Sequence, residues 1–285
     1  MNRNTAKKLA HLLADESQRA LEQMRISGHP KPHFVSQLLR HAEEWRMEAR
    51  FGALMQEDHT TRRSGLVDVR VGSYRRDQVR NGGVKDNSTD LESFDMLQLP
   101  LGGPGDGIRH ALWKLTEAKY REACDDFLHK RAVELNYLDE HRALPAFERV
   151  TPVVDLDIQT PPPFDVDAWR DFVLRGSKSI QRFPLVRDGH LRVQATNMVR
   201  IFASTEGTMI ARSQPLRTVE LHLWVLSPDG WAVPQTRTWF TTNDDELPDL
   251  AEVRHTMNVL YARSVALASA PMIRSFAGPV LLEPL

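Results

Sequence analysis

Cysteine is nearly absent. Cys124 is the only one in 285 residues, so no internal disulfide can form and the fold does not depend on an oxidising compartment. Its place in a helical pattern makes it a small buried hydrophobe. Long apolar runs are missing too: no stretch approaches the ~20 apolar residues of a membrane-spanning helix. The N-terminal Met1-Asn2-Arg3-Asn4-Thr5-Ala6-Lys7-Lys8 lacks the apolar centre of a secretion signal. The chain is therefore expected to be soluble and cytoplasmic, with no membrane partner. An excess of one charge is also lacking, since 37 basic residues face 38 acidic ones. That balance argues against a nucleic-acid partner, which usually selects a basic surplus or stripe. Arg62-Arg63 and Arg75-Arg76 read as solvated strand ends and loops.

Familiar catalytic patterns are equally scarce. None of the 11 histidines is followed directly by Glu, which excludes a zincin-type helix. His29 and His33 are separated by prolines and have no third ligand nearby, so they do not make a zinc site. His222 reads as a residue filling a strand face. The glycines from Gly102 to Gly107 match neither a P-loop nor a dinucleotide fingerprint and read as the loop before a helix. There is no Gly-x-Ser-x-Gly elbow. Residue chemistry alone assigns no catalytic residue, no metal ligand and no cofactor.

What the chain has is alternation. The organising stretch is Leu191–Thr242, with β segments at Leu191–Ala203, Thr208–Arg212, Arg217–Leu226 and Trp231–Thr241. Val219, Leu221, Leu223 and Val225 occupy one face, and Glu220, His222 and Trp224 the other. Glu206-Gly207 and Asp229-Gly230 supply the turns, glycine providing a positive φ. Earlier, strands are expected at Phe34–Leu39, Trp45–Met55 and Leu66–Tyr74, making a three-strand meander. Helical spacing predicts α-helices over Thr5–Ser27, Gly107–Tyr137, Val166–Ser179 with Asp165 as its cap, and Asp249–Ser269. The proline-rich Thr151–Phe164 reads as a connector.

The expectation is an α+β protein with antiparallel meander sheets, each covered by long helices. Its division is expected at 1–150 (helix, three-strand meander and long covering helix) and 151–285 (a second α+β subdomain with meander and C-terminal helix). A pseudo-repeat of the helix-then-meander unit is a corollary.

The run Phe202-Ala203-Ser204-Thr205-Glu206-Gly207-Thr208 resembles the strand–turn of TldD/PmbA-type proteins, the TldD/TldE or "modulator of DNA gyrase" family. Their turn reads Ser-Glu-Gly; here Thr205 intervenes. Ala270-Pro271 and Phe276-Ala277-Gly278-Pro279-Val280-Leu281-Leu282-Glu283 resemble the junction that follows. Arg50-Phe51-Gly52-Ala53-Leu54, Val69-Arg70-Val71-Gly72-Ser73-Tyr74 and Arg109-His110-Ala111-Leu112-Trp113-Lys114-Leu115-Thr116 resemble the first half of one branch. The motifs arrive in the family's order from about Leu21 to Glu283.

The resemblance implies a zinc metallopeptidase working as a pair of related chains, one carrying a His-Glu-x-x-x-His helix and the other shaping the substrate chamber. In the family that helix follows the Glu283 junction, so the similarity covers the N-terminal half alone. No catalytic or metal-binding residue is carried over, and zinc is expected only in a catalytic partner or C-terminal half. Whether this chain is itself part of an enzyme stays open. It reads as a non-catalytic N-terminal domain contributing to assembly and substrate chamber, with a related chain and a peptide substrate as partners. The alternatives are a stand-alone peptide- or partner-binding protein of the same fold, and a fragment. Ser204, Glu206 and Gly207 are candidates for lining a substrate channel or for making only a turn. Phe276, Val280 and Leu282, an apolar tail, are candidates for an interface or for ordinary internal packing.

Overall fold

The computed structural model describes residues 1–79, 97–103, 105–136 (backbone only from 133), 145–159, 163–243, 246–271, 275 and 277–281. In chain order these form α1 (Arg3–Gln23), β1 (Pro32–Arg50), β2 (Ala53–Ser73), β3 (Arg76–Asp77), β4 (Leu97–Gln98), α2 (Asp106–Asn136), β5 (Val154–Asp155), α3 (Val166–Lys178), β6 (Val186–Ser204), β7 (Met209–Leu226), β8 (Ala232–Thr241) and α4 (Leu250–Ala268). A 3₁₀ turn, Ser179–Arg182, continues α3. Helix starts are fixed by short polar side chains. Asn2, Asp165 and Asp249 accept from the backbone N–H of Thr5, Ala168 and Glu252 at 2.8, 3.0 and 2.7 Å, each satisfying a donor the helix cannot.

The class is α+β. The strands form one sheet of eight in the order β3-β2-β1-β6-β7-β5, with β4 on β2 and β8 on β7. The long strands are antiparallel neighbours: Val35 of β1 bonds Thr205 and Glu48 bonds Arg192 of β6, so sequence rises on one strand as it falls on the other. β5 is the exception, pairing with Met209-Ile210 of β7 in parallel. Helix, long hairpin, helix occurs twice in the chain, as α1-β1-β2-α2 and as α3-β6-β7-β8-α4.

Two expectations are corrected. The first meander has two long strands where three were expected. β1 runs unbroken through Arg40–Glu44, and the chain reverses at Phe51-Gly52, with φ of 49° and 87°. Positive φ at both central residues is the tight hairpin geometry, and Phe51 is a rare non-glycine occupant of that region. A two-residue reversal interrupts apolar patterning too briefly to be read from alternation. Likewise β7 does not break at Gln214-Pro215. Neither β5, at 209–210, nor β8, at 217–226, pairs with Pro215, so its missing N–H breaks no ladder bond to them.

The chain divides into two compact units that interleave along the sequence. One comprises Met1–Glu44, His59–Pro163 and Thr196–Leu216, and the other Trp45–Asp58, Phe164–Ala195 and Arg217–Leu285. That differs from a linear cut near residue 150, because β1, β2, β6 and β7 each give residues to both.

In the first unit, Ala6, Leu9, Ala10 and Leu13 of α1 and Ile108 and Leu112 of α2 pack on Leu39, Val199, Ile201 and Ala211. An adjoining cluster joins Ala20, Met24, Tyr120, Ala123 and Cys124 to Val35, Val69 and Val71. In the second unit, Val173 of α3 and Val253, Met257 and Leu260 of α4 cover Met47, Ala49, Leu191, Val193, Val219, Leu221 and Leu223. Odd-numbered positions of β1, β6 and β7 thus meet the helices, the period-2 pattern of a sheet with one buried face. At ~1.5–3 kcal/mol for each fully buried large apolar side chain, these contacts are the main source of stability.

Candidate functional site

The even-numbered face of the sheet carries the polar chemistry. In the first unit it holds the turn named from the sequence. Ser204 and Thr208 close the hairpin (Ser204 N–H to the Thr208 carbonyl, 3.0 Å), and the Gly207 N–H returns to the Ser204 carbonyl at 3.1 Å. Gly207 has φ 95°, the left-handed third position of a three-residue hairpin loop. Ser204 is buried.

Thr205, the residue intervening in the Ser-Glu-Gly pattern, ties this turn to β1. Its N–H donates to the Val35 carbonyl at 2.9 Å, and its Oγ1 accepts from the Val35 N–H at 3.0 Å. Glu206 accepts from the Tyr74 hydroxyl at 2.8 Å.

Around Tyr74 the rings and cations alternate. Phe147 stacks on Tyr74 with centroids 5.7 Å apart, and His33 meets Tyr74 edge-on at 4.9 Å. The Arg149 guanidinium lies 4.3 Å from the Tyr74 centroid and that of Arg70 4.2 Å from the Phe147 centroid, within cation–π range. Burial, with Glu206 adding to it, pushes the Tyr74 hydroxyl above its usual range. Burial also lowers His33, with Arg70 and Arg149 contributing and Asp77 opposing. Both groups are therefore neutral near pH 7, and Glu206 is engaged by a donor that keeps its proton. The arrangement ties the turn to Tyr74 and to β1.

The second unit carries a group that sequence reasoning missed. Glu48 of β1 accepts from Arg192 of β6 at 2.7 and 3.0 Å, and from Arg50 at 3.1 Å. Arg192 also reaches Glu220 of β7 at 2.8 Å, Arg50 reaches Asp188 at 2.7 Å, and His190 bonds Glu220 at 2.9 Å. The imidazoles of His190 and His222 stack 5.1 Å apart, and His222 Nδ1 lies 2.8 Å from the Thr236 hydroxyl. Glu48 is only 7% exposed. Burial opposes its ionisation, but the hydrogen bonds from Arg192 and Arg50 prevail and hold its carboxyl below the usual range. Burial, reinforced by the positive potential of His190, lowers His222. The alternation of Glu220 and His222 was legible in sequence; their junction with Glu48 and Arg192 requires β1 beside β6.

Among the described residues, no group of three or more His, Cys, Asp or Glu is placed to hold a metal ion. Cys124 is buried, and burial raises its thiol above the usual range. Of the apolar tail, Val280 is 74% exposed, while Phe276 and Leu282 lie outside the described residues. Among the described residues no helix is long and apolar enough to cross a membrane.

No family model matches the chain, and no curated protein matches it. Solved structures with a similar course include a putative modulator of a DNA gyrase from Thermotoga maritima, with TM-score 0.48, 11% identity, and 96% of this chain and 50% of that one covered. A putative modulator of DNA gyrase from Bacteroides thetaiotaomicron gives 0.48, 9%, 89% and 49%. TldE from Thermococcus kodakarensis gives 0.42, 8%, 92% and 46%. The chain spans about half the length of each.

Proposed function

We propose that this chain acts as the non-catalytic N-terminal half of a TldD/PmbA-like zinc metallopeptidase, assembling with a related chain or segment that carries the zinc helix and helping to enclose a peptide substrate. The observation that carries the reading is the Tyr74–Glu206 hydrogen bond at 2.8 Å. Tyr74 ends one stretch that resembles the family, and Glu206 sits in another 132 residues away. Two motifs matched separately in sequence meet in space, which supports a shared architecture beyond chance similarity of short runs. In this reading the turn at Ser204, Glu206 and Gly207 fixes a sheet end that borders the chamber, Val280 belongs to the assembly surface, and the particle is cytoplasmic.

The test is co-purification of the tagged chain from its native cells, with zinc analysis and a peptide-cleavage assay of the captured material. A zinc-bearing partner whose peptidase activity disappears when this chain is removed supports the proposal. A metal-free, inactive monomer overturns it.

One observation favours the alternative, a peptide-binding module of the same fold. β8 pairs only with β7 among the described strands, and its own Phe240 is 74% exposed. An extended peptide can add to such an edge through backbone hydrogen bonds. Binding of unstructured peptides by the isolated monomer, abolished by a proline at Arg237, would select this reading.

A further inference from the structure

The second unit contains a cleft of about 410 Å³ lined by Arg175, Lys178, Ser179, Gln181, Arg182 and Arg254. Four of these six side chains are cationic and none is a carboxylate. Its walls are set by hydrogen bonds between side chains and from side chain to backbone. The Gln181 amide donates to the Phe51 carbonyl at 2.7 Å, the Gly52 N–H donates to Ser177 Oγ at 3.0 Å, and Arg254 Nε donates to Ser179 Oγ at 3.3 Å. Asp171 pairs with Arg175 at 2.9 Å, which leaves a surplus of positive charge.

Part of that charge has a structural reason. Arg175 and Lys178 lie in the last turn of α3, where the helix dipole favours cations. Arg182 ends the 3₁₀ turn that continues α3, so the same dipole favours it too; Arg254 is not explained this way. Arg254 comes from the early part of α4, which begins at Leu250, the end of a helix at which a cation gains nothing from the dipole. Converging like charges raise the local potential and concentrate counter-ions. Arginine forks match the paired oxygens of phosphoryl groups, and the volume falls in the range of small-molecule sites.

We propose that this cleft binds a small multivalent oxyanion of the diphosphate class, with Arg182 and Arg254 as its principal ligands and Lys178 and Arg175 completing the shell. The site is independent of the peptidase reading.

The test is calorimetric titration of the full chain with inorganic pyrophosphate at fixed low ionic strength, with ADP in parallel. One saturable site is expected. Arg182→Ala and Arg254→Ala should each weaken it about tenfold, the usual scale for one charge-assisted hydrogen bond, with unchanged circular dichroism. Arg237→Ala, on β8 and outside the cleft, should leave it intact. ADP binding more tightly than pyrophosphate would assign a nucleoside diphosphate, and equal binding the free anion. Absence of a saturable site, or equal weakening by Arg237→Ala, overturns the proposal. If the alanine variants are misfolded, Arg254→Gln serves in their place: it removes the charge but keeps a donor towards Ser179, and undiminished affinity would also overturn the proposal.

Discussion

The two units fix their polar sheet residues by different means. In the first, the turn at Thr205-Glu206-Gly207 is held by backbone bonds to Val35, one hydroxyl-to-carboxylate bond from Tyr74, and rings stacked with cations. In the second, Glu48, Arg192, Glu220, Arg50 and Asp188 are held by one another's charge. The first arrangement spreads its stability over many modest contacts. The second concentrates it, because a nearly buried carboxylate with two guanidinium partners leaves uncompensated charge when any member is removed.

That contrast orders the expected losses. Glu48→Ala should cost the most, about 3 kcal/mol in urea unfolding, near the lower bound for breaking a buried ion pair because Arg192 and Arg50 keep some solvent. A loss below about 1 kcal/mol would show that the network behaves as a surface one. Gly207→Ala comes next, at about 1–2 kcal/mol. An added Cβ would meet only Pro152 at an ordinary 3.5 Å, so the cost is that of a left-handed residue with a side chain. A neutral result would place Gly207 outside the constraint on the turn.

Tyr74→Phe should cost about 1 kcal/mol, the net worth of one hydrogen bond with the ring stack retained. If the proposed complex is captured, the same variant separates anchor from chamber. An anchoring role predicts reduced stability with peptide cleavage per folded complex preserved, and a selective loss of cleavage would place Glu206 at the substrate.

The effect that is smallest near neutral pH, and grows only on acidification, is in pH dependence. His33 and His222 have lowered pKa values, chiefly through burial, and burial with the nearby Arg63 lowers His41 to about 4. Each takes up a proton more readily in the unfolded chain, whose histidines titrate near 6.5. Stability from these residues is therefore complete above pH ~6.5 and is lost as pH falls towards the folded values. For His41 the window is from about 6.5 down to about 4. His41→Gln should flatten the slope of unfolding free energy against pH there, by at most about 1.4 kcal/mol per pH unit, the limit for one proton. An unchanged slope would show that His41 titrates alike in both states.

The resemblance to TldD/PmbA proteins rested on short runs whose spacing said nothing of contact. Tyr74 and Glu206 were each visible in such a run, but their bond depends on how two hairpins lie in one sheet. Thr205 read only as a residue intervening in the Ser-Glu-Gly pattern; in the fold it supplies the bonds from the turn to Val35. His222 read as a strand residue filling a face, and the structure places it on the polar face against His190. Glu48 gave no signal beyond alternation, since Arg192, the partner that reaches it from another strand, lies 144 residues away. The cationic cleft gave none either, because Arg254 is remote in sequence from Arg175–Arg182.

The sequence by itself determined the helices and the Asp165 cap, the apolar face of β7, and the glycine turns at Gly207 and Gly230. These are local properties, set by periodicity, capping chemistry and allowed backbone angles. The tertiary structure decided that the hairpins share one sheet, that β1 lies beside β6, and that each long strand serves two hydrophobic cores. It also decided which charges meet. Strand pairing depends on contacts between residues far apart in the chain, and alternation specifies which face is buried without naming the neighbour that lies alongside.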